Sequence, residues 1–294
     1  MHFLFIFKNE EGHANEKNIS MKFNSKCILI IAILFSQVIT AQFYIGVQSG
    51  LSEIQSDVDG IVADKKMGGA VKAGYIYSVT KNIGIGAGLE FSQYKQEISS
   101  SLSSLTNYEV DASTSAFVYT VTANNYNEKQ TLQAIQIPLF VEFKSSMSKG
   151  VDFGFRIGGK YFLPLSYKIS ATADYVSGTA YYPGVNLTIT DLPEYGFGTQ
   201  SSYSATGEYP TKGIFMSSFE VGFTFDIGKK NSLYTALFLE KGFGTILDQD
   251  SKESFIGYKP TSIEARKLNG LYSTDKNADV TPVAWGLTLG WNFN

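Results

Sequence analysis

Histidine and cysteine are almost missing from this 294-residue chain. There are two histidines, His2 and His13, and one cysteine, Cys27. From residue 42 onward neither type occurs. That excludes a Ser-His-Asp triad, a cysteine nucleophile and a His/Cys zinc site from the bulk of the chain. It also excludes disulfides there. After residue 41 no apolar run approaches the roughly 20 residues of a transmembrane helix. Any membrane crossing must therefore use a closed barrel. Strong charge is absent too, with 24 basic against 27 acidic residues. This gives no reason to expect nucleic acid as a partner.

What is present begins with an export signal. Lys22 and Lys26 precede the short apolar run 27–35, and Ala41 offers a small residue before a cut. These features describe a cleavable secretory signal. The expected division is an upstream extension at 1–20 that is not native (Met21 being the true start), a signal peptide at 21–41, and one domain at 42–294. No Pro/Gly-rich linker divides that domain. Its charge is mildly acidic, because four basic and three acidic residues precede it.

The domain alternates at period two, the pattern of strands with two different faces. Near the C-terminus, Trp285, Leu287, Leu289, Trp291 and Phe293 share one face. Gly286, Thr288, Gly290, Asn292 and Asn294 share the other. Eight such strands are expected, at 42–51, 69–78, 82–98, 132–143, 151–167, 214–227, 232–242 and 282–293. The seventh is ambiguous, because Leu233, Leu237 and Leu239 fall opposite Tyr234, Ala236 and Phe238. Connections alternate strictly between short and long. Outer-membrane barrels alternate in this way, with tight periplasmic turns and long outer loops. The fold class read here is all-β: a transmembrane up-and-down antiparallel barrel of about eight strands. Weak alternation at 107–121 leaves ten open, or else a hairpin rising above the membrane.

Charges decide which face is outside. Lys72, Glu90, Glu142, Arg156, Lys160, Glu220 and Asp226 fall on the face opposite the apolar one. A Lys or Arg facing lipid at mid-membrane costs about 2–4 kcal/mol. Several would exceed the stability of a domain, about 5–15 kcal/mol. These seven residues are therefore expected to form an ionic network in the lumen. A structural plug is favoured over a proton or ion path. Gly84, Gly86, Gly88, Gly154 and Gly158 share the inward face and make room for long side chains. Pro138 lies inside a strand of a closed barrel and lacks a ladder donor, so a bulge or break is expected there. Aromatics fall in two bands, as girdles at the two membrane interfaces do. One holds Phe43, Tyr75, Tyr77, Phe143, Phe153, Phe225, Tyr234, Trp291 and Phe293; the other holds Phe91, Tyr161, Phe215 and Trp285.

No catalytic or cofactor motif emerges, and the chain is read as non-enzymatic and without cofactors. Asp248, Asp250 and Glu253 lack the glycine and spacing of an EF-hand loop and are read as a solvated acidic loop.

Some residues carry a family resemblance. Ile137-Pro138-Leu139 followed by Phe140-Val141-Glu142-Phe143 resembles a strand of the PorT-like outer-membrane β-barrel domain family. The segment Gly86-Ala87-Gly88-Leu89-Glu90-Phe91-Ser92 and the closing strand Gly286–Phe293 are similar too. The resemblance spans 42–294. It implies an outer-membrane barrel with no catalytic residues, and one branch of that family assists type IX secretion. The expected role is a structural or surface-interaction protein of a Gram-negative outer membrane. Its expected partners are outer-membrane lipid, the barrel-assembly machinery during insertion, and a protein or surface ligand at the outer loops. Two alternatives stay open: a secretion accessory, and a soluble lipocalin-like binder with its apolar face inward.

Overall fold

The computed structural model describes residues 41–100 and 104–293. The expected extension at 1–20 and the signal at 21–41 lie, but for Ala41, outside the described residues. Fourteen strands follow in order: β1 (Ala41–Gln55), β2 (Ile61–Ser78), β3 (Ile83–Ser100), β4 (Ser104–Val110), β5 (Ala116–Asn124), β6 (Asn127–Ser148), β7 (Val151–Tyr182), β8 (Leu187–Ile189), β9 (Gly198–Glu208), β10 (Ile214–Ile227), β11 (Asn231–Phe243), β12 (Ile256–Gly257), β13 (Lys267–Leu268) and β14 (Thr281–Phe293). Eight of them close a ring, β1-β2-β3-β6-β7-β10-β11-β14, and β14 pairs back onto β1 from Phe43↔Phe293 to Gln55↔Thr281. Every pairing in the ring is antiparallel, and all but the closing β1–β14 pair join sequence neighbours once β4, β5, β8, β9, β12 and β13 are set aside. The ring has eight strands, not ten.

The outward face of the ring is an apolar belt. Leu89, Leu139, Leu237 and Leu287 are 61%, 62%, 61% and 61% exposed. Ring pairs border the belt toward the short-turn end, Phe43 with Tyr75 at 5.2 Å and Phe153 with Phe223 at 5.6 Å. Tyr161 and Phe215 meet at 5.4 Å toward the other end. A soluble ligand-binding barrel needs the reverse arrangement, so that alternative is overturned. Tyr234 is also corrected: it is buried on the inward face, not in a girdle.

At Pro138 the β3–β6 ladder passes from Ala87↔Leu139 to Glu90↔Gln136, and the two pairs between are missing. The register is the same on both sides, so this is a break without a bulge. The cause is the absent N–H, which removes a donor to β3. The β7 side keeps its register, Pro138↔Lys160. A bulge does occur nearby, at Gln133/Ala134.

Most of the long connections are themselves strands. β7 runs for 32 residues, about 100 Å along its path at the usual rise. Above the ring it pairs with β9 on one side and with β5 on the other. β4 pairs with β5, so residues 104–124 form a hairpin above the ring and add nothing to it. The resulting upper sheet is apolar on its inner face, with Phe117, Tyr119, Val121, Tyr167, Ile169 and Val176 buried.

The segment 244–280 folds against this inner face as a cap. Its Ile246, Leu247, Phe255, Ile256, Leu271 and Tyr272 join the upper core. Tyr258 stacks on Phe197 at 5.2 Å and meets Phe117 edge-on at 5.0 Å. Arg266 is buried and donates to the carbonyls of Val176, Gly196 and Gly198 at 3.2, 3.2 and 2.7 Å.

Glu128 latches the cap to the wall. Its carboxylate accepts from Tyr126 Oη at 2.7 Å, Gln130 Nε2 at 2.7 Å, Tyr209 Oη at 3.0 Å and the Leu271 N–H at 3.1 Å. Among the described residues no cation pairs with it. Burial pushes its carboxyl above the ordinary range, against the lowering effect of these hydrogen bonds. The folded chain therefore holds this proton to a higher pH than the unfolded chain does. Its contribution is complete below the ordinary glutamate value of about 4.3 and is lost as pH rises through the raised value. Amide exchange in 244–280, corrected for intrinsic rates, should thus be slower in mild acid than at neutral pH. Glu128→Gln should remove that difference; an unchanged difference in the variant would contradict the assignment.

Candidate functional site

The inward face of the ring carries the ionic residues. They arise on neighbouring strands because the antiparallel registers align them. Glu142↔Arg156 and Arg156↔Glu220 are direct cross-strand pairs, as is Lys72↔Glu90. These five residues and Lys160 are 2–8% exposed.

The side chains form two tiers. Nearer the short-turn end, Arg156 donates through Nε to Glu142 Oε1 at 2.9 Å, and its Nη2 stands 2.8 Å from the same oxygen in the ion pair. Its Nη1 lies 3.5 Å from Glu220 Oε2. Lys72 pairs with Glu220, and Gln48 Nε2 donates to the same carboxylate at 3.1 Å. Lys144 reaches Glu142 from the rim at 2.9 Å. The guanidinium also lies over aromatic rings, 3.9 Å from the Tyr234 centroid and 5.3 Å from that of Phe140. Such contacts favour a cation electrostatically.

In the second tier Lys160 Nζ bridges Glu90 at 2.7 Å and Glu240 at 2.6 Å. Tyr94 Oη donates to Glu240 at 3.2 Å and accepts from Gln136 Nε2 at 3.1 Å. Above it, neutral groups take over. Gln96 Nε2 donates to Gln130 and to Tyr272 Oη, each at 2.7 Å, and Tyr272 Oη donates to the Ile54 carbonyl at 3.1 Å.

Together the two tiers hold Glu90, Glu142, Glu220 and Glu240 against Lys72, Lys144, Arg156 and Lys160, an equal number of each sign. A narrow barrel fills its lumen with side chains, and this filling is electrically balanced. Small cavities lie between the tiers beside Lys72, Glu90 and Arg156, and beside Glu240 and Tyr94. Among the described residues no group of three or more His, Cys, Asp or Glu side chains is placed to hold a metal ion.

Six of the seven residues anticipated for the lumen come together here. Asp226 does not. It is exposed at the short-turn rim, where its N–H donates to Gly150 O at 2.9 Å. Its parity is inward, but it sits one pair from the hairpin end, where the wall no longer encloses it. Glu240 was missed. Its signal was parity: it shares a face with Tyr234 and Phe238, and Leu239 beside it points outward. The inward glycines make room in two ways: a Cβ on Gly86 would lie 2.2 Å from Phe140 Cζ, whereas one on Gly88, Gly154 or Gly158 would first meet the backbone carbonyl of Ala73, Phe143 or Leu139, at 2.4, 2.5 and 2.2 Å.

The arrangement makes a specific demand on stability. Arg156→Met leaves Glu142 and Glu220 short of a cation in a buried site, a loss of about 3–5 kcal/mol. Arg156→Met combined with Glu142→Gln and Lys72→Met/Glu220→Gln should recover most of it, because buried pairs contribute little net stability over neutral packing. Urea unfolding in detergent measures both. Equal loss in the single and multiple variants would show that the pairing is not the source.

No known family profile matches the chain, and no curated protein matches it. The PorT-like resemblance therefore rests on its motif residues. Among solved structures, the chain is similar to Neisserial surface protein A, with 9% identity over 85% of this chain and 96% of that one and a TM-score of 0.33. It is also similar to Ail, the attachment invasion locus protein of Yersinia pestis, in complex with the heparin analogue sucrose octasulfate. There the identity is 10% over 86% of this chain and 97% of that one, with a TM-score of 0.31. A third likeness is to the translocator domain of the autotransporter NalP from Neisseria meningitidis, at 8% identity over 92% and 97% of the two chains and a TM-score of 0.21.

Proposed function

We propose that this chain is a non-enzymatic barrel of a Gram-negative outer membrane, delivered by an N-terminal signal, that acts as a structural or surface-interaction protein through its elevated sheet and cap. One observation carries the reading: the outward wall is apolar around the ring while both signs of charge are enclosed within it. In water such a wall is a large exposed apolar surface. In lipid it is the matched surface, and the enclosed charges avoid the penalty of facing hydrocarbon. Outer-membrane lipid is then the partner of the belt, and the barrel-assembly machinery the partner during insertion.

The filled lumen favours attachment or architecture over transport. The part beyond the belt is an ordered platform, not a set of loose loops. It presents apolar side chains at its far end, with Tyr108 83% and Val185 72% exposed. Such groups suit a protein or surface ligand. The secretion-accessory reading follows from the PorT-like motif residues and uses the same platform; comparing secreted proteins with and without the gene separates the two.

The test is fractionation with gel mobility. A folded barrel should appear in outer-membrane fractions as a band that shifts on boiling, and, among the described residues, protease added to intact cells should cut only at the turn 183–186 or the tip 111–115. Release of the protein without detergent would refute the reading.

A further inference from the structure

Just beyond the apolar belt, on the long-connection side, three lysines gather on the outward face of adjacent strands. Lys95 on β3 faces Thr131 on β6, and Thr131 faces Lys168 on β7. Strands are about 4.8 Å apart, so the two lysine backbones flank Thr131 at about 10 Å. Lys129 stands two residues farther along β6 on the same face. All three lysines are exposed. None forms an ion pair among the described residues, although Lys65, Lys66, Lys72, Lys144 and Lys160 all do. The acids opposite are Glu97, across from Lys129 and paired with Lys66 at 3.2 Å, and Glu208, across from Lys168.

The position matters as much as the charge. Toward the belt, the same outward rows pass through Gln93 and Gln133 to Phe91 and Ile135. A molecule lying along this wall meets hydrocarbon-like surface first, then amides, then three ammonium groups. That is the polarity order of a phosphate-bearing lipid, from its acyl chains to its headgroup.

We propose that Lys95, Lys129 and Lys168, with the apolar wall beneath them, form a binding site for the phosphate headgroup of a membrane lipid in the leaflet at the long-connection end. This rests on the membrane reading above. Thr131 supplies a hydroxyl between the lysines, and Gln93 and Gln133 lie at the level of the lipid backbone. Lysine is a point-charge phosphate binder, and each one near a charged bilayer surface changes affinity by roughly fivefold.

The experiment reconstitutes the full folded chain into phosphatidylcholine vesicles with or without phosphatidic acid. The barrel is then released in mild detergent, and the lipids retained on it are read by native mass spectrometry. The native chain should retain phosphatidic acid in excess of its share of the vesicle, and less so at high salt. Each Lys→Gln substitution at 95, 129 or 168 should lower that excess by roughly fivefold. The control Lys81→Gln/Lys149→Gln/Lys230→Gln, at the opposite rim, should leave it unchanged. Insertion with no excess of phosphatidic acid, or equal loss in the control, overturns the site alone. Failure of the native chain to insert into phosphatidylcholine overturns the membrane reading and the site together, and insertion is read separately from the mobility shift on boiling.

Discussion

Closure of the first strand onto the last is the constraint on which the rest depends. The β1–β14 ladder leaves no open edge in the ring. An open edge would expose a row of unpaired backbone groups, each costing several kcal/mol in hydrocarbon. Closure also separates two environments. With every strand paired on both sides, alternate side chains must go wholly outside or wholly inside. Charge inside is then enclosed by the wall, and it must be balanced there. The cross-strand row Glu142–Arg156–Glu220 and the Lys160 bridge meet that requirement through registers set by the ring itself.

The polarity of the chain inverts along its length. At the level of the belt the outside is apolar and the inside ionic. Above the belt the outward positions of β7 are Lys168, Ser170, Thr172 and Asp174, and the inward ones are Tyr167, Ile169, Ala171 and Ala173. The bulge at Gln133/Ala134, where β6 meets Ser166 and Pro164, lies at the crossover. The upper sheet is open, so its apolar inner face needs a cover, and segment 244–280 provides one. Hydrophobic burial holds the cap, while Glu128 on the wall and Arg266 within the cap fix its position through hydrogen bonds. The cap therefore accounts for what the lumen alone does not: why a connection of this length is ordered.

Much of the ring was legible in local pattern because the belt enforces period two without exception. Ile135, Ile137, Leu139, Val141 and Phe143 point one way, and Gln136, Phe140 and Glu142 the other. Reading failed where parity alone does not decide enclosure. Asp226 has inward parity but lies beyond the wall. Tyr234 was placed in a girdle because β11 mixes large apolar residues on both faces, and the same ambiguity hid Glu240. Above the belt, left-handed residues at Asn125 and Ser202, with φ of 52° each, and the extra residue Leu165 in β7, opposite Gln133/Ala134, reset the alternation. Long strands there read as loops. The cap contacts of Glu128 and Arg266 join residues far apart in sequence, so no local window could show them.

The central claim is that one side of each ring strand touches lipid and the other is sealed inside. The absence of cysteine after residue 41 allows single cysteine substitutions to carry a spin label. Labels at Leu89, Leu139, Leu237 and Leu287 in reconstituted bilayers should be accessible to oxygen and protected from a water-soluble nickel reagent. Labels at the neighbouring inward positions Gln136 and Thr288 should be shielded from both. Nickel access at the four leucine positions equal to that at exposed Tyr108 would contradict the account.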